Sequence, residues 1–219
     1  MANLATTADV SALIKDGMTV AIGGFLAAGT PELLVDNLVA NKITELTVIG
    51  NDTGFPDKGI GKLVVNRQVK KAIVSHIGTN PETGNQMNSG DMVVELVPQG
   101  TLAERLRCGG SGLGGVLTPT GLGTVVAEGK EIIAVSGKEY LLETALRADV
   151  ALVKAAVADK SGNLVCRRAS ANFNPVMAMA ADLVIAEVDR IVEVGEIDPD
   201  HVTIPCIMVD YIVLAGKGE

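Results

Sequence analysis

The stretch Asp16 to Pro31, DGMTVAIGGFLAAGTP, leaves this chain few ways to fold. Met18 to Ile22 is short and apolar, with Asp16-Gly17 before it and Gly23-Gly24 after it. A run of this length between turn residues reads as a buried parallel strand. Thr30 is placed to cap a following helix. Pro31 suits the first helical position because its missing N–H has no partner there anyway. Leu33, Leu34, Leu38 and Val39 then repeat at helical spacing. Glycines between a strand's carboxyl end and a helix's amino end let a ligand approach the backbone closely. Open α/β sheets bind ligands on that edge. The same stretch also fits a βα turn with no task beyond folding.

The pattern continues down the chain. Residues 4–16 read as a first helix, with Ala8, Val10, Leu13 and Ile14 on its apolar side. Strands are expected at Leu46 to Ile49, Lys71 to His76 and Met92 to Val97, alternating with helices at about 59–65, 81–89 and 102–108. The second half is β-rich. Glu131 to Val135 and Lys138 to Leu142 read as a hairpin across Ser136-Gly137. Further strands are expected at 150–155, 164–167, 183–188 and 204–214, with a helix at 174–181 capped by Asn172 or Asn174. Gly216 to Glu219 reads as a frayed tail. These elements predict an α/β fold, an open and mostly parallel sheet flanked by helices, with an antiparallel β extension in the second half.

Apolar residues make up 47% of the 219 residues but aromatics only 2%, so Val, Leu, Ile, Ala and Met must build the core. That suits a sheet covered on both faces, and one domain over residues 1–219. The formal net charge of −8 argues against nucleic acid and anionic membranes as partners. It leaves room for an anionic small ligand held by backbone N–H groups and a few local cations. Cys108, Cys166 and Cys206 are scattered, as expected of reduced thiols in a cytoplasmic protein. The start, MANLATTADV, has no basic and apolar signal regions, and no apolar run reaches membrane-spanning length. The sequence reads without an internal repeat or a low-complexity linker.

Few residues offer chemistry of their own. Two histidines without a cysteine cluster give no zinc spacing, and no metal site is expected. There is no G-x-S-x-G elbow. His76, at a strand end, reads as a hydrogen-bonded structural residue. Arg67, Lys70 and Lys71 read as a solvated basic patch. Gly110, Gly112 and Gly115 satisfy G-x-G-x-x-G, but they follow a helix, so a glycine-rich loop or lid over 109–124 is expected rather than a dinucleotide site. Glu32, Glu82, Glu95, Glu104, Glu128 and Glu131 fit helix or strand surfaces. Gln99, directly after a strand, is an amide that can donate to an oxyanion or merely bond its own turn.

Taken together, several blocks carry a resemblance. Asp16-Gly17, Val20-Ala21-Ile22-Gly23-Gly24-Phe25 and Gly29-x-Pro31 resemble the signature of the alpha-type subunit of family I coenzyme A transferases. Residues 74–84 (VSHIGTNPETG), 97–110 (VPQGTLAERLRCGG), 117–124 (LTPTGLGT) and 169–175 (ASANFNP) are similar to blocks of the bacterial acetate/acetoacetate type. The resemblance implies transfer of coenzyme A from an acyl-CoA to a short-chain carboxylate through a glutamyl-CoA thioester. It places the covalent glutamate in a Ser-Glu-Asn-Gly block of a beta subunit, a block this sequence lacks, so the chain is expected to be inactive alone. It assigns coenzyme A binding to Gly23, Gly24, Phe25, Leu26, Ala27, Ala28 and Gly29, and an oxyanion contact to Gln99. It implies coenzyme A thioesters as substrates, no permanently bound cofactor, and a heterotetramer or larger assembly. Ser170-Ala171-Asn172 departs from the Ala-Arg-Asn frequent in relatives, with Arg167 and Arg168 just upstream. Rival readings are a sugar-phosphate isomerase on the same fold and a non-catalytic coenzyme A or ligand-binding protein. Neither requires a beta partner.

Overall fold

The structure, a computed structural model, describes residues 2–216. The chain opens with β1 (Asn3–Ala5) and α1 (Thr7–Ser11). Four βα units follow: β2 (Thr19–Ile22) and α2 (Glu32–Ala40), β3 (Leu46–Ile49) and α3 (Ile60–Val65), β4 (Val69–Val74) and α4 (Pro81–Ser89), β5 (Val93–Leu96) and α5 (Gln99–Gly110). Next come β6 (Gly115–Thr118), β7 (Ile132–Val135) and β8 (Lys138–Thr144). The chain finishes with β9 (Ala148–Asp159), β10 (Leu164–Val165), α6 (Asn174–Met179), β11 (Ala181–Val192) and β12 (Tyr211–Leu214).

The main sheet runs β1-β12-β11-β9-β2-β3-β4-β5, every neighbour parallel, with β10 pairing antiparallel to β9. From β2 the chain steps one way to β5, and from β9 it steps the other way to β12. The direction reverses between β2 and β9, the place where open α/β sheets form a ligand crevice. A second, antiparallel sheet of order β6-β8-β7 is the expected extension.

Alternation along β2 shows why both faces must be covered. Val20 and Ile22 pack on one side with Leu34, Val35 and Leu38 of α2 and Leu63 of α3. Ala21 points to the other, with Leu102 and Leu106 of α5 and Met177 of α6. Each fully buried aliphatic side chain stabilises by about 1.5–3 kcal/mol relative to exposure. The small Ala21, Ala151 and Ala186 let α6 sit close to the sheet.

Several expectations from sequence change. The helix expected over 4–16 shrinks to α1, because residues 3–5 pair with Tyr211 to Val213 as a strand. Thr6 then caps α1 in a reciprocal pair with Asp9. Thr30 does not cap α2; its side chain is buried against Gly24, and the Leu34 N–H instead donates to Glu187 Oε2 at 3.2 Å. The loop expected over 109–124 contributes β6. Gly109 and Gly110 end α5, where a Cβ would lie 2.1 Å from Leu146 O and 2.5 Å from Met179 O. They are there for close packing. The hairpin turn at Ser136-Gly137 holds, with both residues left-handed. Strand β12 starts only at Tyr211; Cys206 to Met208 form a 3₁₀ turn before it. Neither Asn172 nor Asn174 caps α6, whose N-cap is Phe173. Of the expected tail, residues 217–219 lie outside the described residues.

One buried turn carries its own pH signature. Asp159, 2% exposed, accepts from the backbone N–H groups of Ser161, Gly162 and Asn163 and from both their neighbouring side chains, Ser161 Oγ and Asn163 Nδ2. Burial works against its charge, yet the hydrogen bonds from Ser161 and Asn163 outweigh it and hold the carboxyl below the usual range. A depressed carboxyl stabilises the fold above its ordinary pKa, and that stability is lost as pH falls through the folded value. Asp159→Ala is expected to cost about 2–4 kcal/mol near neutral pH. Urea titrations at falling pH should show the gap from wild type narrowing in acid; a gap constant with pH contradicts this.

Candidate active site at the carboxyl edge of the sheet

The glycine turn leaves β2 at the reversal of strand order. The Gly23 N–H donates to Leu152 O of β9 at 2.9 Å, and Gly24 has φ +124. Phe25 and Ala28 then exchange backbone hydrogen bonds of 3.1 and 2.9 Å, closing a two-residue turn. Its central residues, Leu26 (φ 46) and Ala27 (φ 66), are both left-handed. Such turns ordinarily take Asn-Gly. Holding non-glycine residues there costs of order 1–3 kcal/mol each, strain that collects at ligand sites. Phe25 and Leu26 remain exposed, at 42% and 39%.

Asp52 pins this strained turn. It follows β3, is 5% exposed, and accepts from Leu26 N (2.9 Å), Gly54 N (2.8 Å) and Asn51 Nδ2 (2.7 Å). Asn51 in turn accepts through Oδ1 from Gln99 Nε2 at 2.6 Å. A continuous chain of hydrogen bonds thus runs from the glycine turn to Gln99. Gln99 is not in a loop, as the sequence suggests, but is the first residue of α5, whose start has no side-chain cap. Its amide has a second hydrogen to donate, and the residue stands at the amino end of α5, the positive end of a helix. That combination can stabilise developing negative charge.

Behind the turn stands the 169–175 block. Asn172 Nδ2 donates to Ala28 O at 2.9 Å. Asn174, fully buried, donates from Nδ2 to Gly29 O (2.9 Å) and Ser170 O (2.8 Å), and its Oδ1 accepts from Lys154 N at 2.9 Å. A Cβ on Gly23 would fall 1.8 Å from Asn174 Oδ1, and one on Gly29 would fall 2.8 Å from Ser170. The glycines are therefore required by close packing as well as by backbone angles.

A sequence signal for part of this was present and missed. Gly24-Phe25-Leu26-Ala27-Ala28-Gly29 has a counterpart in Gly54-Phe55-Pro56-Asp57-Lys58-Gly59, both reading G-F-x-x-x-G. The second segment closes likewise, with Phe55 bridged to Lys58. The two turns lie side by side: Glu32 Oε1 accepts from Gly59 N at 3.0 Å and Thr30 packs against Gly59. A short repeat does exist, at the site itself.

The carboxylates here are committed. Glu32 bonds Gly59 N and pairs with Lys62 at 2.6 Å; buried Glu187 bonds Leu34 N and pairs with Lys154 at 3.1 Å. Burial disfavours the Lys62 charge, but Asp36 and Glu32 outweigh it and raise its pKa. His76 is exposed, and its carbonyl accepts from Thr53 N. Its ring makes no hydrogen bond among the described residues, contrary to the structural role expected. Arg67, Lys70 and Lys71 pair with Asp91, Glu45 and Glu95, each at 2.8 Å, as a solvated patch should. The three cysteines are free, and burial raises the Cys166 thiol, which keeps it from acting as a thiolate. Among the described residues no group of three or more His, Cys, Asp or Glu side chains is placed to hold a metal ion. No described helix is long and apolar enough to cross a membrane.

The pattern of the Coenzyme A transferase family matches residues 4–215. The chain belongs to the coenzyme A transferase family. Its relatives there are alpha-type chains. It is 53% identical over 216 residues to the acetate CoA-transferase subunit alpha of Escherichia coli (strain K12), covering 99% of this chain and 98% of that one. It is 51% identical over 205 residues to the acetoacetyl-CoA:acetate/butyrate CoA transferase alpha subunit of Clostridium acetobutylicum, covering 94% of each. An acyl-CoA transferase apoenzyme from Escherichia coli O157:H7 shares the fold, with a TM-score of 0.86 at 22% identity over 98% of this chain. This chain spans 47% of that solved transferase. Membership in the coenzyme A transferase family sets aside the isomerase reading.

Proposed function

We propose that this chain, as one domain over residues 1–219, is the alpha subunit of a short-chain acyl-CoA:carboxylate CoA-transferase acting on acetate, acetoacetate or butyrate. The observation that carries the reading is the hydrogen-bond chain Leu26–Asp52–Asn51–Gln99, which couples the glycine turn to an amide donor at one sheet edge. In the proposed cycle a glutamate carboxylate attacks the thioester carbonyl and coenzyme A leaves as thiolate, giving a mixed anhydride. The thiolate then attacks the glutamyl carbonyl, forming the glutamyl-CoA thioester and releasing the first carboxylate. The acceptor carboxylate reverses both steps. Gln99 donates to the oxyanion of each tetrahedral intermediate. Gly23 to Gly29 line the coenzyme A path, where an exposed Phe25 and Leu26 flank backbone that a ligand can approach.

We assign the covalent glutamate to a beta subunit. Glu32 of α2 and Glu187, which accepts from the Leu34 N–H of α2, are tied to backbone donors and lysines. Coenzyme A thioesters are substrates here, not resident cofactors, and the free thiols suit a cytoplasmic enzyme. The test is coenzyme A transfer from acetoacetyl-CoA to acetate by this chain alone, by its beta partner alone, and by the mixture. Turnover in the mixture only is expected. Turnover by this chain alone overturns the assignment.

A further inference from the structure

We propose that the ribbon formed by the far ends of β9 and β11 is the surface on which the beta subunit docks, an assignment that rests on the division of labour proposed above. Strand β2 pairs with β9 as far as Leu152, where the glycine turn leaves the sheet, yet β9 runs on to Asp159. On the other side β12 stops opposite Val188 of β11, and β11 runs on to Val192. Beyond those levels the two strands pair with each other, Arg190 with Val157 and Val192 with Asp159, and β10 adds itself along β9. The ribbon therefore stands out past the carboxyl edge that carries the glycine turn and Gln99.

One face of the ribbon is packed and the other is not. On the packed face Ala158 and Leu164, in register, are fully buried, and Ile191 packs on the same core. On the other face Val157 stands in register with Val165 and Arg190, and Val192 follows two residues on. Val157, Val165 and Val192 are only half-buried, and with Ile197 they line a groove of about 450 Å³. Val194, just past the end of β11, is 62% exposed. Exposed Arg190, Glu196 and Asp198 border the same groove. Apolar side chains with polar neighbours at the margin are how subunit interfaces are built. The tip of the ribbon is fixed, since Asp159 accepts from the N–H groups of Ser161, Gly162 and Asn163.

The incomplete site selects the partner. A glutamate carried by another chain must reach a thioester held between the glycine turn and Gln99, so that chain has to lie against the carboxyl edge. The ribbon rises from that edge. Val157 and Arg190 border both the groove and the space beside Gly29, so a chain seated in the groove is held next to the turn. The loop after β11 carries Glu196, Asp198 and Asp200. The segment that fits is therefore apolar with basic side chains beside it.

Sedimentation velocity of Val192→Asp/Ile197→Asp with the beta subunit tests this. Two carboxylates in the groove should weaken assembly roughly 100-fold or more. Val192→Ile/Ile197→Val should assemble as wild type does. So should Val93→Asp, at a residue 60% exposed on β5 at the far side of the sheet. Wild-type assembly of the double aspartate variant, or equal weakening by Val93→Asp, overturns the proposal. A second measurement is independent of how the charged variant folds: p-benzoylphenylalanine in place of Ile197 is irradiated in the assembled enzyme. Its adduct should form with the beta subunit. An adduct with a second copy of this chain, or none, overturns the proposal. A complex that crosslinks to the beta subunit but transfers no coenzyme A to acetate supports the docking surface and counts against the proposed function.

Discussion

Gln99→Ala is expected to lower kcat of the assembled enzyme by about 10²–10³-fold with little change in KM, since removing one oxyanion donor has that effect. The side chain is exposed, and its recorded contact is the 2.6 Å bond from Nε2 to Asn51 Oδ1. Removing it leaves both hydrophobic clusters intact, so melting temperature and subunit assembly should match wild type. The bond to Asn51 also predicts how the loss is graded. Asn51→Ala keeps the amide but frees its rotamer, and should cost kcat less than Gln99→Ala does. Steady-state kinetics of both variants decide the matter; wild-type turnover in Gln99→Ala removes this residue from the chemistry.

The second large effect belongs to the turn. Gly24→Val is expected to reduce kcat/KM for the CoA thioester by at least about 10²-fold, equivalent to about 2.7 kcal/mol. Gly24 has φ +124, and a Cβ there would lie 2.2 Å from Thr30 Oγ1 and 3.3 Å from Thr30 Cα. A β-branched residue has no relaxed conformation at that φ, and Thr30 is buried. The turn must deform, and with it the Leu26 N–H bond to Asp52. Gly112→Val is the control: Gly112 is also left-handed (φ +70) but has nothing within 4 Å. It should lose some stability and keep wild-type kinetics. Wild-type kinetics in a folded Gly24→Val enzyme would exclude the turn from the site.

Much of this was legible in the sequence, for identifiable reasons. The βα units through α5 were readable because their strands are short apolar runs that end in turn residues such as Gly23-Gly24, Gly50-Asn51 and Pro98, and prolines such as Pro31 and Pro81 mark where helices begin. Chain ends were harder. Residues 3–5 have nothing local to mark a strand; their pairing with β12 comes from the opposite end of the chain. Capping by Glu187 was invisible for the same reason, since it lies on β11. At the site, the glycines and Gln99 could be named from sequence, but not the residues that organise them. Asn51 and Asp52 read only as part of a polar strand-to-helix connection and Asn172 and Asn174 only as candidate helix caps, and their roles at the site arise when strand ends are brought together. The left-handed Leu26 and Ala27 run against local preference, as expected where tertiary contacts hold a turn that its own residues disfavour.

The most direct test of the central claim is to find which chain carries the covalent intermediate. The assembled enzyme is incubated with acetoacetyl-CoA without acceptor, the glutamyl-CoA thioester is reduced with borohydride, and each subunit is weighed by mass spectrometry. The modified glutamate should appear on the beta subunit, with this chain at its unmodified mass. An adduct on Glu32, Glu187 or any other carboxylate of this chain would contradict the division of labour proposed here.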